Sequence, residues 1–356
     1  MAPVVLRLNA DADFESILTV TAQHRDMLDQ VLHLFKLRPD YDLNIMAPNQ
    51  SLFDITSKAL LGLQQVLTEA KPDIVLVHGD TTTSFVAALA AFYLEIPVGH
   101  VEAGLRTHNL RSPFPEELNR KLTGSIADIH FSPTQTARKN LLDEGVSDSN
   151  IFVTGNTVID ALQQTVRDNY IFESPPLRDI DFANRRLILV TTHRRENLGE
   201  PMRHVYRALK ALTSEFADVE VVFPVHKNPK VREVVNEELG NAERVHLIEP
   251  LEYEPFANLM ARATLIMTDS GGLQEEAPSL GKPVLVLRDT TERPEALEAG
   301  TVKLVGTDYD SIFGAAKTLL TDSAEYNRMS EAINPYGDGH ASERIVQVLR
   351  QHFAKI

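Results

Sequence analysis

Residues 264–289 read TLIMTDSGGLQEEAPSLGKPVLVLRD and give the clearest indication of the fold. An apolar run ends at Thr268 and Asp269, Ser270–Gly272 lead into a helical pattern, and a second apolar run follows. Apolar runs of this kind are typical of parallel strands that are buried on both faces. The stretch therefore predicts one βαβ unit.

The same alternation extends through nearly the whole chain. Further strands are predicted at SILTVT, DIVLVHGD, IPVGHVE, IHFSP, IFVTGN, RLILVTTH, VEVVFPVH, VHLIEP and VKLVG. Helical periodicity occurs between them in QHRDMLDQVLHLF, TTTSFVAALAAFYL and PMRHVYRALKALTSEF. Strands that alternate with helices in this way predict an α/β fold of Rossmann-like, doubly wound parallel sheets.

The length of the chain predicts two such domains with a central cleft. At 356 residues the chain is longer than the roughly 250–300 residues that one core supports. Two prolines and several charges without a clear period occupy residues 170–184, so we expect a linker there. We predict domains at 1–170 and 171–340, and a helix in 341–356 that crosses back to the first domain.

Composition excludes several classes of protein. The net charge of −15 argues against a nucleic-acid or anionic-membrane surface, since both need a basic face. The absence of cysteine excludes disulfides, thiolate catalysis and cysteine-ligated zinc. No apolar run approaches the roughly 18–20 residues that span a bilayer, and the start lacks a signal-peptide stretch, so we expect a cytoplasmic protein.

The turn after the strand TLIMT has the composition of a phosphate site. Gly271 and Gly272 allow backbone amides to approach a ligand, and the helix start offers free N–H groups. In this interpretation Glu276 accepts bonds from ribose hydroxyls and Arg293 contacts the phosphates. A plain strand-to-helix turn capped by Ser270 is the alternative.

Carboxylates follow the predicted strands of the first half. Asp80 ends DIVLVHGD, Glu102 ends GHVE, and Glu116 lies at a predicted helix start after Pro115. A carboxylate at any one of these positions can also be explained without a catalytic role, as a helix cap or as a partner of the helix dipole. Together they can serve as general base, general acid and electrostatic partner.

The second half offers cations at strand ends. His193, Arg194 and Arg195 follow RLILVTT, and His226 ends the next strand. A diphosphate fits these residues better than a metal, because no His-Glu-x-x-His or similar spacing occurs. Phe256 is either a wall for a nucleobase or an ordinary core aromatic. We expect no cofactor, since dinucleotide and P-loop fingerprints are both lacking.

The motifs together resemble the bacterial UDP-N-acetylglucosamine 2-epimerases of the non-hydrolysing kind. The resemblance extends from about Ala2 to Arg344 and rests on TAQHRDMLDQV, KPDIVLVHGDTTT, IPVGHVEAGLRT, SPFPEELNR, TGNTVIDAL, THRRENLGEPMRH, PVHKNP, TDSGGLQEEAPSLGKPVLVLRDTTERPE and NPYGDGHAS. It implies the GT-B architecture and interconversion of UDP-N-acetylglucosamine and UDP-N-acetylmannosamine by elimination and re-addition of UDP. It also implies a homodimer that supplies a precursor for surface polysaccharide.

The resemblance implies a role for each candidate residue. Acid–base carboxylates fall on Asp80, Glu102 and Glu116, and the catalytic histidine falls on His193. The implied contacts to UDP are His226, Phe256, Ser270, Gly271, Gly272, Glu276 and Arg293.

The sequence departs from the family pattern in two places. The family opens with another strand and a Gly-Thr-Arg-Pro-Glu-Ala-Ile-Lys segment, whereas this sequence begins at the following Met1. We expect the missing strand to be central, so that its loss destabilises the first domain, and we expect a mis-assigned start codon or a shortened chain. In activated members a second UDP-sugar contacts residues equivalent to Gln23, Glu116, Arg194 and His226. Asp26 and Asn49 replace their Gln and Arg, so we expect weak or absent activation.

Two alternatives stay open. A GT-B glycosyltransferase shares the fold and the UDP site but needs an acceptor. A catalytically silent UDP-sugar-binding protein is favoured by the missing first strand and disfavoured by the complete carboxylate set.

Overall fold

A computed structural model of the chain describes residues 1–194 and 197–354. The contacts divide the chain into two compact units. Unit 1 contains Met1–Ala161 and the residues from Tyr336 onward, and unit 2 contains Leu162–Pro335. Both units are built from parallel strands and helices, which confirms the predicted α/β class.

Unit 1 contains a four-stranded parallel sheet and a separate pair of short parallel strands. The sheet has the order β3-β4-β5-β6 and the pair is β1-β2. The strands are β1 (Thr19–Val20), β2 (Tyr41–Asp42), β3 (Val75–His78), β4 (Val98–Val101), β5 (Ile129–Ser132) and β6 (Ile151–Val153). The helices are α1 (Ala2–Asn9), α2 (Arg25–Leu34), α3 (Leu52–Ala70), α4 (Thr82–Tyr93), α5 (Glu116–Ile126), α6 (Gln135–Asp143) and α7 (Thr157–Thr165).

Unit 2 contains a six-stranded parallel sheet. Its strands are β7 (Arg186–Thr191), β8 (Val219–Pro224), β9 (Val245–Ile248), β10 (Leu265–Thr268), β11 (Val284–Val286) and β12 (Val302–Leu304). Its helices are α8 (Glu200–Glu215), α9 (Pro229–Leu239), α10 (Tyr253–Arg262), α11 (Leu273–Glu276), α12 (Pro294–Ala299), α13 (Tyr309–Thr321) and α14 (Ser323–Ser330). Residues 170–184, where the sequence predicts a linker, pack against this unit, because Phe172 and Leu177 are buried and Arg262 donates to the carbonyl of Tyr170.

The C-terminal helix α15 (Ala341–Phe353) belongs to unit 1. Its apolar face, which includes Ile345 and Leu349, shares a core cluster with Val4 of α1 and Phe131 of β5. The buried carboxylate of Asp160 accepts hydrogen bonds from the backbone N–H groups of residues 341 and 342, at 3.1 and 2.8 Å. A side chain of α7 therefore caps the first turn of α15.

Candidate active site

Asp80 lies in the turn after β3, where its carboxylate is held by one arginine. Arg120 of α5 donates from Nη2 to Oδ2 of Asp80 at 2.5 Å and from Nη1 to Glu117 at 3.0 Å. Glu117 is fully buried, and its other oxygen accepts the backbone N–H groups of Thr107 and His108. Within the described residues Oδ1 of Asp80 accepts no hydrogen bond, so one oxygen is fixed and the other is free to exchange a proton.

Glu102 follows β4 in a backbone conformation that is unusual for a residue with a side chain. Its φ is +62°, and such outliers concentrate at functional sites. Asn156 donates to Oε2 at 3.1 Å, and Nε2 of His78 lies 3.7 Å from the same oxygen. Burial lowers the pKa of His78 well below its ordinary value, so the ring beside Glu102 is neutral near pH 7.

Glu116 is the first residue of α5 and is half-buried. Within the described part of the chain no hydrogen bond or ion pair engages its carboxylate. The elements that carry the three predicted acids meet at one edge of the sheet. Arg120 of α5 contacts Asp80, and the position of a Cβ on Gly79 lies 3.5 Å from Oε1 of Glu102.

The sheet of unit 2 reverses its winding between β7 and β10. Its order is β12-β11-β10-β7-β8-β9, so the chain moves outward in one direction from β7 and in the other from β10. In open α/β sheets ligands bind beyond the carboxyl ends of the strands at such a switch point. His193 and Arg194 follow β7 at this point, and Ser270–Gly272 follow β10.

Asp269, which was not among the predicted site residues, joins these two strand ends. Its side chain is fully buried, and Oδ2 accepts the backbone N–H groups of His193 and Arg194 at 2.9 Å each. Nδ1 of His193 lies 3.0 Å from Oδ1, within ion-pair distance. Burial acts to raise the pKa of Asp269, but the adjacent ring of His193 and the two amides outweigh it and lower the pKa below its usual range.

The two predicted histidines lie face to face. The ring centroids of His193 and His226 are 5.9 Å apart, with the planes inclined by 24°. Nδ1 of His226 accepts the backbone N–H of Asn228 at 3.1 Å, which leaves Nε2 available for a ligand. The side chain of His193 is 40% exposed, so the pair is accessible. Arg195, the other cation expected here, lies outside the described residues.

Gly271 and Gly272 lie where the fold itself does not require glycine. A Cβ at Gly271 has Cζ of Arg293 as its nearest neighbour at 4.0 Å, and a Cβ at Gly272 has an oxygen of Glu276 at 3.9 Å. The φ of Gly272 is −61°, which any residue adopts. Since neither packing nor backbone conformation accounts for these glycines, close approach of a ligand is the physical explanation that fits them.

Glu276 and Arg293 flank this turn. The hydroxyl of Tyr253 donates to Oε1 of Glu276 at 3.2 Å, and burial raises the pKa of Glu276 to about 7. Arg293 donates from Nε to the buried Glu275, which holds its guanidinium beside Gly271. Glu275 was not among the predicted site residues, since its partner follows 18 residues later.

The remaining predicted residues occupy separate positions. Phe256 is half-buried on α10, one turn after Tyr253. Gln23 of unit 1 accepts a long hydrogen bond of 3.4 Å from Thr83 of α4. Arg194 of unit 2 is half-buried and donates from Nε to the carbonyl of Asp269 at 3.4 Å.

Neither a metal site nor a membrane span occurs among residues 1–194 and 197–354. Nowhere in these ranges do three or more His, Cys, Asp or Glu side chains cluster in a way that can hold a metal ion. The helices in the same ranges lack the length and hydrophobicity that a bilayer crossing needs.

Comparison with known proteins identifies the family. Residues 6–350 match the family model described as UDP-N-acetylglucosamine 2-epimerase. The chain is 60% identical to the UDP-N-acetylglucosamine 2-epimerase of Bacillus subtilis and 58% identical to that of Escherichia coli, covering 99% of this chain and 92% and 95% of theirs. A solved UDP-GlcNAc 2-epimerase from Neisseria meningitidis, bound to UDP-GlcNAc, matches with a TM-score of 0.87 and 50% identity over 99% of this chain and 96% of that chain. The chain belongs to the UDP-N-acetylglucosamine 2-epimerase family.

Proposed function

We propose that the chain inverts carbon 2 of the sugar in UDP-N-acetylglucosamine and yields UDP-N-acetylmannosamine, reversibly. Relatives at 58–60% identity carry the name of this activity, and the Neisseria meningitidis relative was solved with UDP-GlcNAc bound. The observation that carries the proposal is that unit 1 presents acids whose elements meet at one edge of its sheet, and unit 2 presents a glycine turn beside Arg293.

The chemistry requires both sets of groups. A carboxylate removes the proton from carbon 2, the bond from carbon 1 to the phosphate oxygen breaks, and UDP leaves with the bonding electrons. The remaining 2-acetamidoglucal then accepts UDP at carbon 1 and a proton on the opposite face of carbon 2. We assign the acid–base work to Asp80, Glu102 and Glu116, since carboxylates can take up and return a proton and these three lie on elements that meet at one edge of the sheet.

The departing UDP needs positive potential where its negative charge develops. The amides of Ser270–Gly272 and the guanidinium of Arg293 supply it in this proposal, and His193 and His226 add imidazole donors. Asp269 fixes the backbone of His193 and lies against Nδ1, so Nε2 points away as the nitrogen that binds the diphosphate. Glu276 accepts the ribose hydroxyls and Phe256 packs against the base.

Carboxylate variants test the assignment of unit 1. We expect Asp80→Asn, Glu102→Gln and Glu116→Gln each to lower kcat by about 10²-fold or more, because each removes a proton-transfer group. The affinity for UDP, measured by calorimetry, should stay within about twofold, since the phosphate groups bind elsewhere. Asp148→Asn is the control, because Asp148 is an exposed carboxylate of unit 1 paired with Arg138. Equal losses of kcat and UDP affinity would contradict an acid–base role.

The alternatives give different products. An epimerase converts UDP-N-acetylglucosamine without an acceptor, whereas a glycosyltransferase consumes it only when an acceptor is present. A hydrolysing relative releases free N-acetylmannosamine and UDP. Chromatography of a reaction that contains substrate alone separates the three.

We also propose the setting of the reaction. The protein acts in the cytoplasm as a homodimer on a free UDP-sugar, binds no nucleic acid, and supplies a precursor for surface polysaccharide. The acidic net charge of −15 supports the absence of nucleic acid. Light scattering coupled to size-exclusion chromatography tests the dimer, with a mass of about twice 39.7 kDa expected.

A further inference from the structure

Asp80 is the last of three consecutive residues whose backbone carbonyls each accept a hydrogen bond from a side chain. The three donor side chains belong to three different elements. We call residues 78–80 the Asp80 turn. The hydroxyl of Ser84 on α4 donates to the carbonyl of His78. Nε2 of His100 on β4 donates to the carbonyl of Gly79 at 2.8 Å. Nδ2 of Asn119 on α5 donates to the carbonyl of Asp80 at 2.9 Å.

All three donors are buried. Ser84 is 7%, His100 0% and Asn119 5% exposed. Burying a polar side chain is costly unless it forms a hydrogen bond, and an apolar side chain of similar size fills such a position at lower cost. Gly79 is also in the left-handed region, with φ of +64°, and its N–H donates to the carbonyl of Val101 at 2.9 Å. The turn is therefore fixed from three sides.

The His100 ring is a donor of defined tautomer. Burial lowers its pKa to about 3, so the ring is neutral at any pH used for an assay. Its single N–H proton belongs on Nε2, because a carbonyl oxygen accepts there. Nδ1 is buried and has no hydrogen-bond partner in the described residues. The bond from Nε2 is therefore the polar contact that explains why a histidine occupies this position.

We propose that His100, Ser84 and Asn119 are positioning residues for proton transfer, which hold the Asp80 turn so that its carboxylate meets carbon 2 of the sugar. Arg120 orients the carboxylate itself, and the three donors fix the backbone that carries it. The inference rests on the proposed epimerase function and assigns to these residues no contact with substrate. Displacement of a reacting group by about 1 Å can cost about 10²-fold in rate, which sets the size of the effect.

His130 provides a matched control for His100. It lies opposite His100 in the register of β4 and β5, and it is 1% exposed. Burial lowers its pKa to about 4, so it too is neutral. No hydrogen bond within the described residues joins its ring to the Asp80 turn. Both leucine variants therefore lose a buried neutral imidazole, but only His100→Leu loses a hydrogen bond to the Asp80 turn.

The experiment compares His100→Leu, His100→Gln and His130→Leu with the unchanged chain. We expect His100→Leu to lower kcat and the rate of deuterium exchange at carbon 2 by about 10²-fold, with KM within about twofold. His130→Leu should change kcat by less than about twofold, while thermal unfolding shifts by similar amounts in both. Glutamine retains a donor near the position of Nε2, so His100→Gln should recover most of the loss. The shape of the pH profile should stay the same in all three, because no group that titrates in the assay range is removed.

Equal effects of His100→Leu and His130→Leu on kcat would overturn the inference, as would a loss that appears in KM alone. If His100→Leu does not fold, Ser84→Ala replaces it, with Ser125→Ala as its control, because Ser125 is an exposed serine that donates to the carbonyl of Lys121. Ser84→Ala should lower kcat by at least about fivefold relative to Ser125→Ala, and equal rates would overturn the inference. An unchanged chain without epimerase activity would instead overturn the proposed function.

Discussion

The carboxylates of this protein differ in how many of their oxygens are already engaged. Asp269 is fully buried, with two amides on one oxygen and an imidazole beside the other. Asp80 has one oxygen held by Arg120, and Glu116 has no partner among the described residues. A carboxylate with an unengaged oxygen can take up a proton, whereas Asp269 is arranged to hold its neighbours in place.

At the residue scale, Glu276 should make UDP binding depend on pH. Burial raises its pKa to about 7, and a carboxylate that accepts ribose hydroxyls must be ionised. Binding then favours loss of the proton, so UDP affinity should increase as pH rises from about 6 to about 8. Calorimetric titration at both pH values measures the change.

Glu276→Gln separates this effect from the titration of the phosphate and the histidines. The variant keeps the shape of the side chain and cannot ionise, so the part of the pH dependence due to Glu276 should vanish. Every titrating group other than Glu276 is the same in the unchanged chain and in the variant. An identical pH dependence in the two would contradict the role assigned to Glu276.

At the scale of elements, the positions of the strands can be predicted from the sequence. Which strands lie next to each other in the sheet cannot be predicted from it. Each strand of unit 2 overlaps a predicted strand, and β10 and β11 are apolar except at Thr268 because both of their faces are buried. The two-residue strand β2 is too short to give a periodic signal. The order of the strands depends on which edges the helices cross, which no local pattern encodes.

The same limit applies to the candidate site. Residue types at strand ends predicted the acids, the histidines and the glycine pair. The contacts that define their surroundings join residues far apart in the chain: Arg120 reaches Asp80 across 40 positions, and Asp269 reaches His193 across 76. Asp269 and Glu275 were missed for this reason, although each is adjacent to a motif that the sequence does reveal.

The turn between β10 and α11 should tolerate a methyl group in the free protein but not in the complex. Gly272→Ala adds a Cβ with no close neighbour, so the temperature of unfolding should stay the same or rise slightly. UDP affinity should fall by about tenfold or more, about 1.4 kcal/mol, because the methyl group occupies the space of the phosphate. Gly314→Ala, in an open position on α13, is the control and should bind UDP normally. Normal UDP binding by Gly272→Ala would contradict the phosphate site.

The capping of α15 by Asp160 should contribute measurably to the stability of unit 1. Asp160→Ala leaves the N–H groups of residues 341 and 342 and the hydroxyl of Ser342 without their acceptor in a buried position. We expect a loss of about 1–3 kcal/mol in the free energy of unfolding, measured by denaturant titration. Asp143→Ala, an exposed residue at the end of α6, should change it by less than about 0.5 kcal/mol. Similar values for the two variants would refute the cap.

At the scale of the whole molecule, the chain is acidic, but a few histidine and arginine side chains of unit 2 are placed to meet a phosphate group. The net charge is −15, yet His193, Arg194 and His226 follow strand ends of unit 2, and the guanidinium of Arg293 lies beside Gly271. In the proposed function, local positive potential of this kind binds a phosphate group without making the protein attractive to nucleic acid. The proposed role of the acids of unit 1 is different, since they act on a proton and not on a phosphate.

In the proposed reaction, carboxylates of this chain remove and replace the hydrogen on carbon 2 while UDP departs and returns. Proton NMR of UDP-N-acetylglucosamine with the purified protein in deuterated water, without an acceptor, tests it directly. We expect that UDP-N-acetylmannosamine appears and that the carbon 2 proton signal disappears from both sugars as deuterium replaces it. A UDP-sugar that binds yet keeps its carbon 2 proton and its configuration would show that this proton transfer does not take place.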